Sequence, residues 1–307
     1  MSKVSIIIPS CNEIAETSSG ENVLQRTVRD IYEKATGDFE VIVGFNGPPY
    51  QDFPDYQNFK TLKLPQNIGL KTLVNTLAIM ADGKYIYKTD AHCMFGQGFD
   101  EILAADMQDN WVVTPRFYVL NAREWKWQDD RHYDYFYLSC PFTDPRGFRF
   151  KAAGHWPEKT AEKLDVLIDE TPQIHGSDWF VNRDYYINHL GGFPYIDPMG
   201  HAQEPIWLGL KNWLAGGRVM VNKKTWYAHM HQQGDQRGYH MSKDQEKISY
   251  DLAANYWVGD KWEQRKHDFE WFVDRFMPMP TWPDNWKEQI GVDKLKDYSR
   301  RDDAKQN

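Results

Sequence analysis

The run Tyr85-Ile86-Tyr87-Lys88-Thr89-Asp90-Ala91-His92-Cys93-Met94-Phe95 decides how this chain reads. Five residues of strand character stop on an acid, and a histidine follows two places later. Side chains two apart on an extended backbone leave on the same side, so Asp90 and His92 share a face. A carboxylate and an imidazole presented together at a strand end are candidate ligands for a divalent cation.

Upstream, Val4-Ser5-Ile6-Ile7-Ile8-Pro9 is a short β-branched run closed by proline, the pattern of a buried parallel strand. Residues 20–34 carry Val23, Leu24, Thr27, Val28 and Ile31 at helical spacing. Phe39-Glu40-Val41-Ile42-Val43-Gly44-Phe45 gives a second strand, stopped by Asn46-Gly47-Pro48-Pro49, and residues 61–64 a third. A helix is expected from Asn67-Ile68-Gly69-Leu70 to about Met80. The order strand, helix, strand, strand, helix, strand predicts a mostly parallel α/β sheet flanked by helices. Ligands of such sheets sit beyond the carboxyl ends of the strands, where Pro9-Ser10-Cys11-Asn12-Glu13, Asn46-Gly47 and Asp90-Ala91-His92 all fall.

Downstream, strands are expected at 111–116, 177–182 and 217–221, with a helix at 206–214. Residues 117–175 read as irregular, and the chain from about 242 as helical, with a charged, fraying stretch at 293–307. Within 116–151, Arg116, Arg123, Lys126, Arg131, Arg146, Arg149 and Lys151 alternate with Trp125, Trp127, Tyr133, Tyr135, Phe136 and Tyr137. Glu124, Asp129, Asp130, Asp134 and Asp144 bring that segment close to neutrality. It is either a loop packed on the sheet or a surface that contacts a second substrate.

The 307 residues, 41% hydrophobic and 26% charged, suffice for a globular core. With a net charge of −8 a generally basic nucleic-acid-binding surface is not expected, which leaves room for a local basic patch. The 13 tryptophans suit either an aromatic-rich core or a cleft that stacks on sugars or bases. Cys11, Cys93 and Cys140 are odd in number and far apart, which predicts free thiols in a reducing compartment. No apolar run reaches membrane-spanning length and no signal peptide precedes the first strand, so a cytoplasmic location is expected.

These segments together resemble family 2 glycosyltransferases with the GT-A fold. The Asp90-Ala91-His92 motif is most similar to the Asp-x-His metal motif of the polypeptide N-acetylgalactosaminyltransferases. The family opens with a strand and a Pro-x-x-Asn-Glu turn, matched by Pro9-Ser10-Cys11-Asn12-Glu13. The resemblance implies that Pro9, Ser10, Asn12 and Glu13 lie against a nucleotide sugar, although Asn12 also suits an ordinary helix cap. Asn46 stands where the family most often has Asp, and is either a base contact or a turn residue. Asn67-Ile68-Gly69-Leu70-Lys71 resembles the family's next helix start, so Asn67, Gly69 and Lys71 are placed near the diphosphate. For Lys71 an exposed position beside a plain cap is the competing reading.

The resemblance extends to Gly176-Ser177-Asp178-Trp179-Phe180-Val181-Asn182-Arg183-Asp184-Tyr185 and Gly191-Gly192-Phe193. After Gly216-Gly217, it places His229 in Trp226-Tyr227-Ala228-His229-Met230-His231 as the third metal ligand, with His231 the alternative. Asp90, His92 and His229 would then hold a divalent metal, Mn²⁺ with zinc as competitor. In Pro198-Met199-Gly200-His201-Ala202-Gln203-Glu204-Pro205-Ile206-Trp207, Glu204 falls on a family glutamate; Glu204 and Asp90 become the candidate catalytic residues, with Trp207 beside the sugar. An acid at a helix N-terminus is the other explanation of Glu204. Inverting relatives carry their base where this chain has Pro205, so a retaining mechanism is expected.

The implied protein has a GT-A domain at 1–240, with a nucleotide half (1–115) and an acceptor half (116–240), and a helical extension at 241–307. It would transfer a sugar, hexose or N-acetylhexosamine, from a nucleotide donor, UDP-linked, to a hydroxyl. A glycan or lipid-linked sugar is the first-ranked acceptor, then a protein hydroxyl, then a modified base in nucleic acid. A nucleotidyltransferase would show a Gly-rich loop with Lys or Arg after the first strand, which Pro9-Ser10-Cys11-Asn12-Glu13 is not. An inactive nucleotide-sugar-binding relative would be expected to lose metal ligands, which are kept.

Overall fold

The computed structural model describes residues 4–141, 143, 150, 154–195, 204–231 and 242–290. The run 198–203 before Glu204, the residues Asp144, Arg146, Arg149 and Lys151, and the charged stretch 293–307 lie outside the described residues.

β1 (Val4–Ser10) is buried throughout, as its aliphatic run requires of an inner strand. α1 (Val23–Lys34) begins later than expected because Asn22 caps it, its side chain accepting from the Leu24 N–H at 2.9 Å. β2 (Phe39–Phe45), β3 (Phe59–Lys63), α2 (Leu70–Met80) and β4 (Tyr85–Thr89) follow in the expected order. β5 (Cys93–Phe95) and α3 (Phe99–Asp106) lead into β6 (Trp111–Asn121).

Residues 117–175 are not the irregular stretch expected. β6 continues to Asn121 and returns as the antiparallel edge strand β7 (Lys126–Tyr133). β7 has no buried residue, so its strand character leaves no apolar pattern to read. Short elements come next: β8 (Phe136–Tyr137), β9 (Gly154–His155), α4 (Pro157–Glu162) and β10 (Ile168–Glu170). β11 (Asp178–Asn182), α5 (Leu210–Leu214) and β12 (Arg218–His229) complete the sheet region. β12 runs eight residues past the expected end at Val221; its pairing with β6 shifts register between Asn222 and Trp226, and Lys223 and Lys224 interrupt the apolar run there.

The sheet order is β10-β12-β6-β11-β4-β1-β2-β3, with β5 on β12 and β7 on β6. The strands β3, β2, β1 and β4 are parallel, as their sequence predicts. β11 lies antiparallel between β4 and β6, so the remainder of the sheet is mixed.

Alternate strand residues divide two cores. Ile6, Ile8, Val41 and Val43 face α1 and α3, while Ile7, Ile42 and Ile86 face α2. Gly44 lets α2 sit close on β2, since a Cβ there would come within 2.9 Å of the Leu73 and Leu77 methyls. α6 (Lys243–Val258) and α7 (Phe269–Phe276) join the α2 side, and α8 (Trp286–Ile290) closes the described chain. Trp257, Phe269, Phe272 and Val273 share a core with Trp179, Trp207 and Trp213. No described helix is long and apolar enough to cross a membrane.

Candidate metal and donor site

Asp90 and His92 follow β4, and His229 ends β12, where it pairs with Cys93 of β5. A backbone hydrogen bond from Met230 to His92 (3.1 Å) and another from Asp90 to Ser177 (2.8 Å) fix the three segments together. One ligand atom from each of Asp90, His92 and His229 lies within 4.8 Å of the others. The imidazoles of His92 and His229 sit 4.8 Å apart, centroid to centroid. Among the described residues this is the grouping with metal-ligand geometry, and it contains His229, not the exposed His231.

The electrostatics fit a cation. Both ring nitrogens of His229 are buried without a hydrogen-bond partner; Nε2 comes within 3.3 Å of Asp90 Oδ2 without hydrogen-bond alignment. Burial, assisted by nearby imidazoles, pushes His229 down to about 3, so it stays neutral and able to ligate. For Asp90, burial works against ionisation, but the Lys88 ammonium, helped by His92, holds its carboxyl well below the usual range. One carboxylate oxygen and two imidazole nitrogens suit a borderline divalent ion such as Mn²⁺ or Zn²⁺. Glu13 lies behind His92, its Oε2 3.3 Å from Nδ1, the arrangement that orients a ligating imidazole. Burial lowers the His92 pKa, but Glu13 outweighs it and the net shift is upward.

The remaining donor-side residues converge at the carboxyl edge of β1 and β2. Pro9 and Ser10 end β1, and the Asn46 N–H donates to the Ser10 carbonyl at 2.8 Å. Asn12 turns the chain with φ 50°, a conformation asparagine tolerates better than most residues. Asn46 is buried and its Oδ1 accepts from the Ile68 N–H (2.8 Å), while Asn67 Oδ1 accepts from the Gly69 N–H (2.8 Å). These bonds bind the ends of β1 and β2 to the start of α2. Gly69, at φ 87°, supplies the bend before the helix.

Two expectations change. Lys71 is buried with Nζ 5.1 Å from the Trp207 ring centre, so it is not an exposed residue beside a cap. Trp207 is fully buried against Tyr256 and Trp257 and belongs to the core, not to a sugar-facing surface. It is apolar enough for the core, which its neighbourhood to Glu204 in sequence concealed.

Glu204 is buried, and its Oε2 accepts from Lys88 Nζ at 3.0 Å. Burial raises its carboxyl above the usual range, with Lys88 pulling down and Asp90 pushing up. Lys88 was not singled out by its residue type, yet strand alternation puts it on the Asp90 face two residues away. His175 was also missed: it stacks on Phe117 at 4.6 Å, and its Nδ1 is 2.5 Å from Ser177 Oγ and 2.9 Å from the Tyr227 hydroxyl. A histidine ahead of a strand carried no pattern that distinguished it.

The chain is similar in fold to GalNAc-T7 solved with UDP, GalNAc and Mn²⁺: TM-score 0.65 at 15% identity, over 94% of this chain and 54% of that one. It thus spans about half the length of that relative. S. aureus TarS 1–349 in complex with UDP-GlcNAc gives TM-score 0.56 at 12% identity, over 96% and 78% of the two chains. No curated protein sequence matches. Both structural likenesses are to GT-A enzymes, and the fold is GT-A. The model of glycosyl transferase family 2 matches residues 5–186, more than half of the 307, and the chain belongs to that family.

Proposed function

We propose that this chain transfers a hexosyl or N-acetylhexosaminyl group from a UDP-linked donor to a hydroxyl acceptor, with a divalent metal, Mn²⁺, held by Asp90, His92 and His229. The observation that carries the reading is the convergence of these three ligand atoms within 4.8 Å at the carboxyl end of β4. GalNAc-T7 with UDP and Mn²⁺, and TarS with UDP-GlcNAc, support it by sharing the fold. Bound there, the metal supplies Lewis-acid stabilisation to the departing diphosphate.

The protein's own contribution is binding and orientation. The turn through Asn12, the buried Asn46 and the Asn67–Gly69 bend border the nucleotide, and the N-terminus of α2 adds a favourable dipole for phosphate. Glu13 keeps His92 oriented. Glu204, buried and held by Lys88, would act on the sugar side of the site, as the resemblance implies. Pro205 offers no base to deprotonate an acceptor, which favours retention of configuration. A glycan or lipid-linked sugar is the first acceptor to test. The three unpaired cysteines suit a reducing compartment such as the cytoplasm.

The test is nucleotide release from a panel of nucleotide sugars with Mn²⁺, Mg²⁺ or EDTA, for the wild type, Asp90→Ala and His229→Ala. Release from one UDP-sugar, dependent on metal and on both residues, is expected. Full activity in both variants would exclude this metal site, and UDP failing to bind with Mn²⁺ in calorimetry would exclude the donor.

A further inference from the structure

A lysine side chain with no solvent exposure sits in the middle of the candidate site. Lys88 Nζ donates to Asp90 Oδ1 at 2.6 Å, to the Gly176 carbonyl at 2.7 Å and to Glu204 Oε2 at 3.0 Å. Those three bonds exhaust an ammonium group's donors. They join β4 to the segment before β11 and to a glutamate 116 residues away in sequence. A buried ammonium placed between two carboxylates is stable only because both compensate it, and it constrains both in return.

The consequence lies in which oxygens remain. Asp90 has Oδ1 committed to Lys88, and its Oδ2 is the oxygen beside His229 Nε2, at 3.3 Å. Glu204 has Oε2 committed to Lys88, and its other oxygen is buried beside the core residue Trp179. Asp90 is thus split into an anchored oxygen and an available one, while Glu204 serves as the anchor's counter-charge. We infer that Lys88 is a positioning residue that restricts Asp90 to one-oxygen metal ligation through Oδ2, its ammonium being held in place by Glu204 Oε2 and the Gly176 carbonyl. The inference rests on the proposed transfer reaction and assigns a function to a residue that touches neither metal nor sugar.

The sign of one effect separates this function from simple support of the fold. An ammonium beside a metal site repels the cation, so its removal does not weaken Mn²⁺ binding by charge. It does release both carboxylates to rotate. Lys88→Met keeps the side-chain stem and removes the charge. Lys88→Met/Glu204→Gln removes the charges of both partners and guards against a variant that fails to fold. Three quantities are measured: Mn²⁺ affinity by electron paramagnetic resonance, kcat and KM of donor hydrolysis, and the Mn²⁺-induced infrared difference spectrum.

For Lys88→Met, Mn²⁺ affinity as tight as in the wild type is expected, with kcat reduced roughly 100-fold and KM changed far less. The infrared carboxylate splitting is expected to narrow, from the one-oxygen towards the two-oxygen pattern; the double variant shows the same narrowing. Unchanged kcat and an unchanged splitting would overturn the assignment. So would loss of Mn²⁺ binding in both variants, because Lys88 would then be maintaining the site's structure and not dividing its oxygens. The infrared measurement needs no substrate. If UDP with Mn²⁺ does not bind the wild type, the transfer reading falls while the splitting still decides how Asp90 is held.

Discussion

At the scale of single residues, Glu13 separates two readings of one motif. By resemblance it belongs to a nucleotide-binding turn, yet its carboxylate lies 3.3 Å from the His92 ring. Partners that orient a ligating histidine are worth 10- to 100-fold in metal affinity. Glu13→Ala is therefore expected to weaken Mn²⁺ binding about 10-fold or more in the absence of any nucleotide, measured by electron paramagnetic resonance. Unaltered Mn²⁺ affinity with weakened UDP binding would return Glu13 to the nucleotide alone. The grouping of Asp90, His92 and His229 was legible because two of its members lie two residues apart at a strand end and the third follows a recognisable strand. Lys88 was in the same quoted run and its function was not legible, since its second partner, Glu204, is supplied only by folding.

Between elements, α5 is held to the loop after β11 by a charge that burial disfavours. Lys211 Nζ donates to the Gly192 carbonyl at 2.8 Å and lies 5.5 Å from the Trp262 ring, with no carboxylate among its hydrogen-bond or ion-pair partners in the described residues. Burial drives its pKa down to about 8 from the ordinary 10.5. Between those values the unfolded chain holds the proton that the folded chain has released, so stability rises with pH across the window. Below pH 8 both states are protonated and the penalty is constant. Relative to Lys211→Met, the wild type is expected to gain about 2 kcal/mol between pH 8 and 10.5, read from urea unfolding at each pH. Parallel profiles would mean that Lys211 is solvated in the folded state. The elements themselves were legible where one buried face imposes a period, as in β1, α1, β2 and β4. β7 and the far half of β12 were not, because an exposed edge strand and two lysines at a bulge erase that period.

Over the whole molecule, the expected division near residue 240 meets a continuous core. α6 and α7 place Tyr250, Trp257, Phe269, Phe272 and Val273 against Trp179, Trp207, Trp213 and Leu73, which stand on or beside the sheet. Trp282 adds a hydrogen bond to the Leu138 carbonyl at 2.6 Å, far back in the chain. Burying side chains of this size contributes about 1.5–3 kcal/mol each. Five of them match the roughly 5–15 kcal/mol of net stability available to a domain of this kind. The helices then share one core with the sheet, and they back the buried Trp207 beside Lys71. A chain ended at residue 241 is accordingly expected to lose cooperative unfolding and to expose its tryptophans, while the full chain melts in one calorimetric transition that Mn²⁺ with UDP raises. Two separate transitions in the full chain, or a truncated chain that melts cooperatively and still binds UDP, would show that the extension folds apart from the site. The candidate ligands Asp90, His92 and His229 do not lie in the removed segment, so any loss of UDP binding on truncation measures how far this wall holds the site in shape.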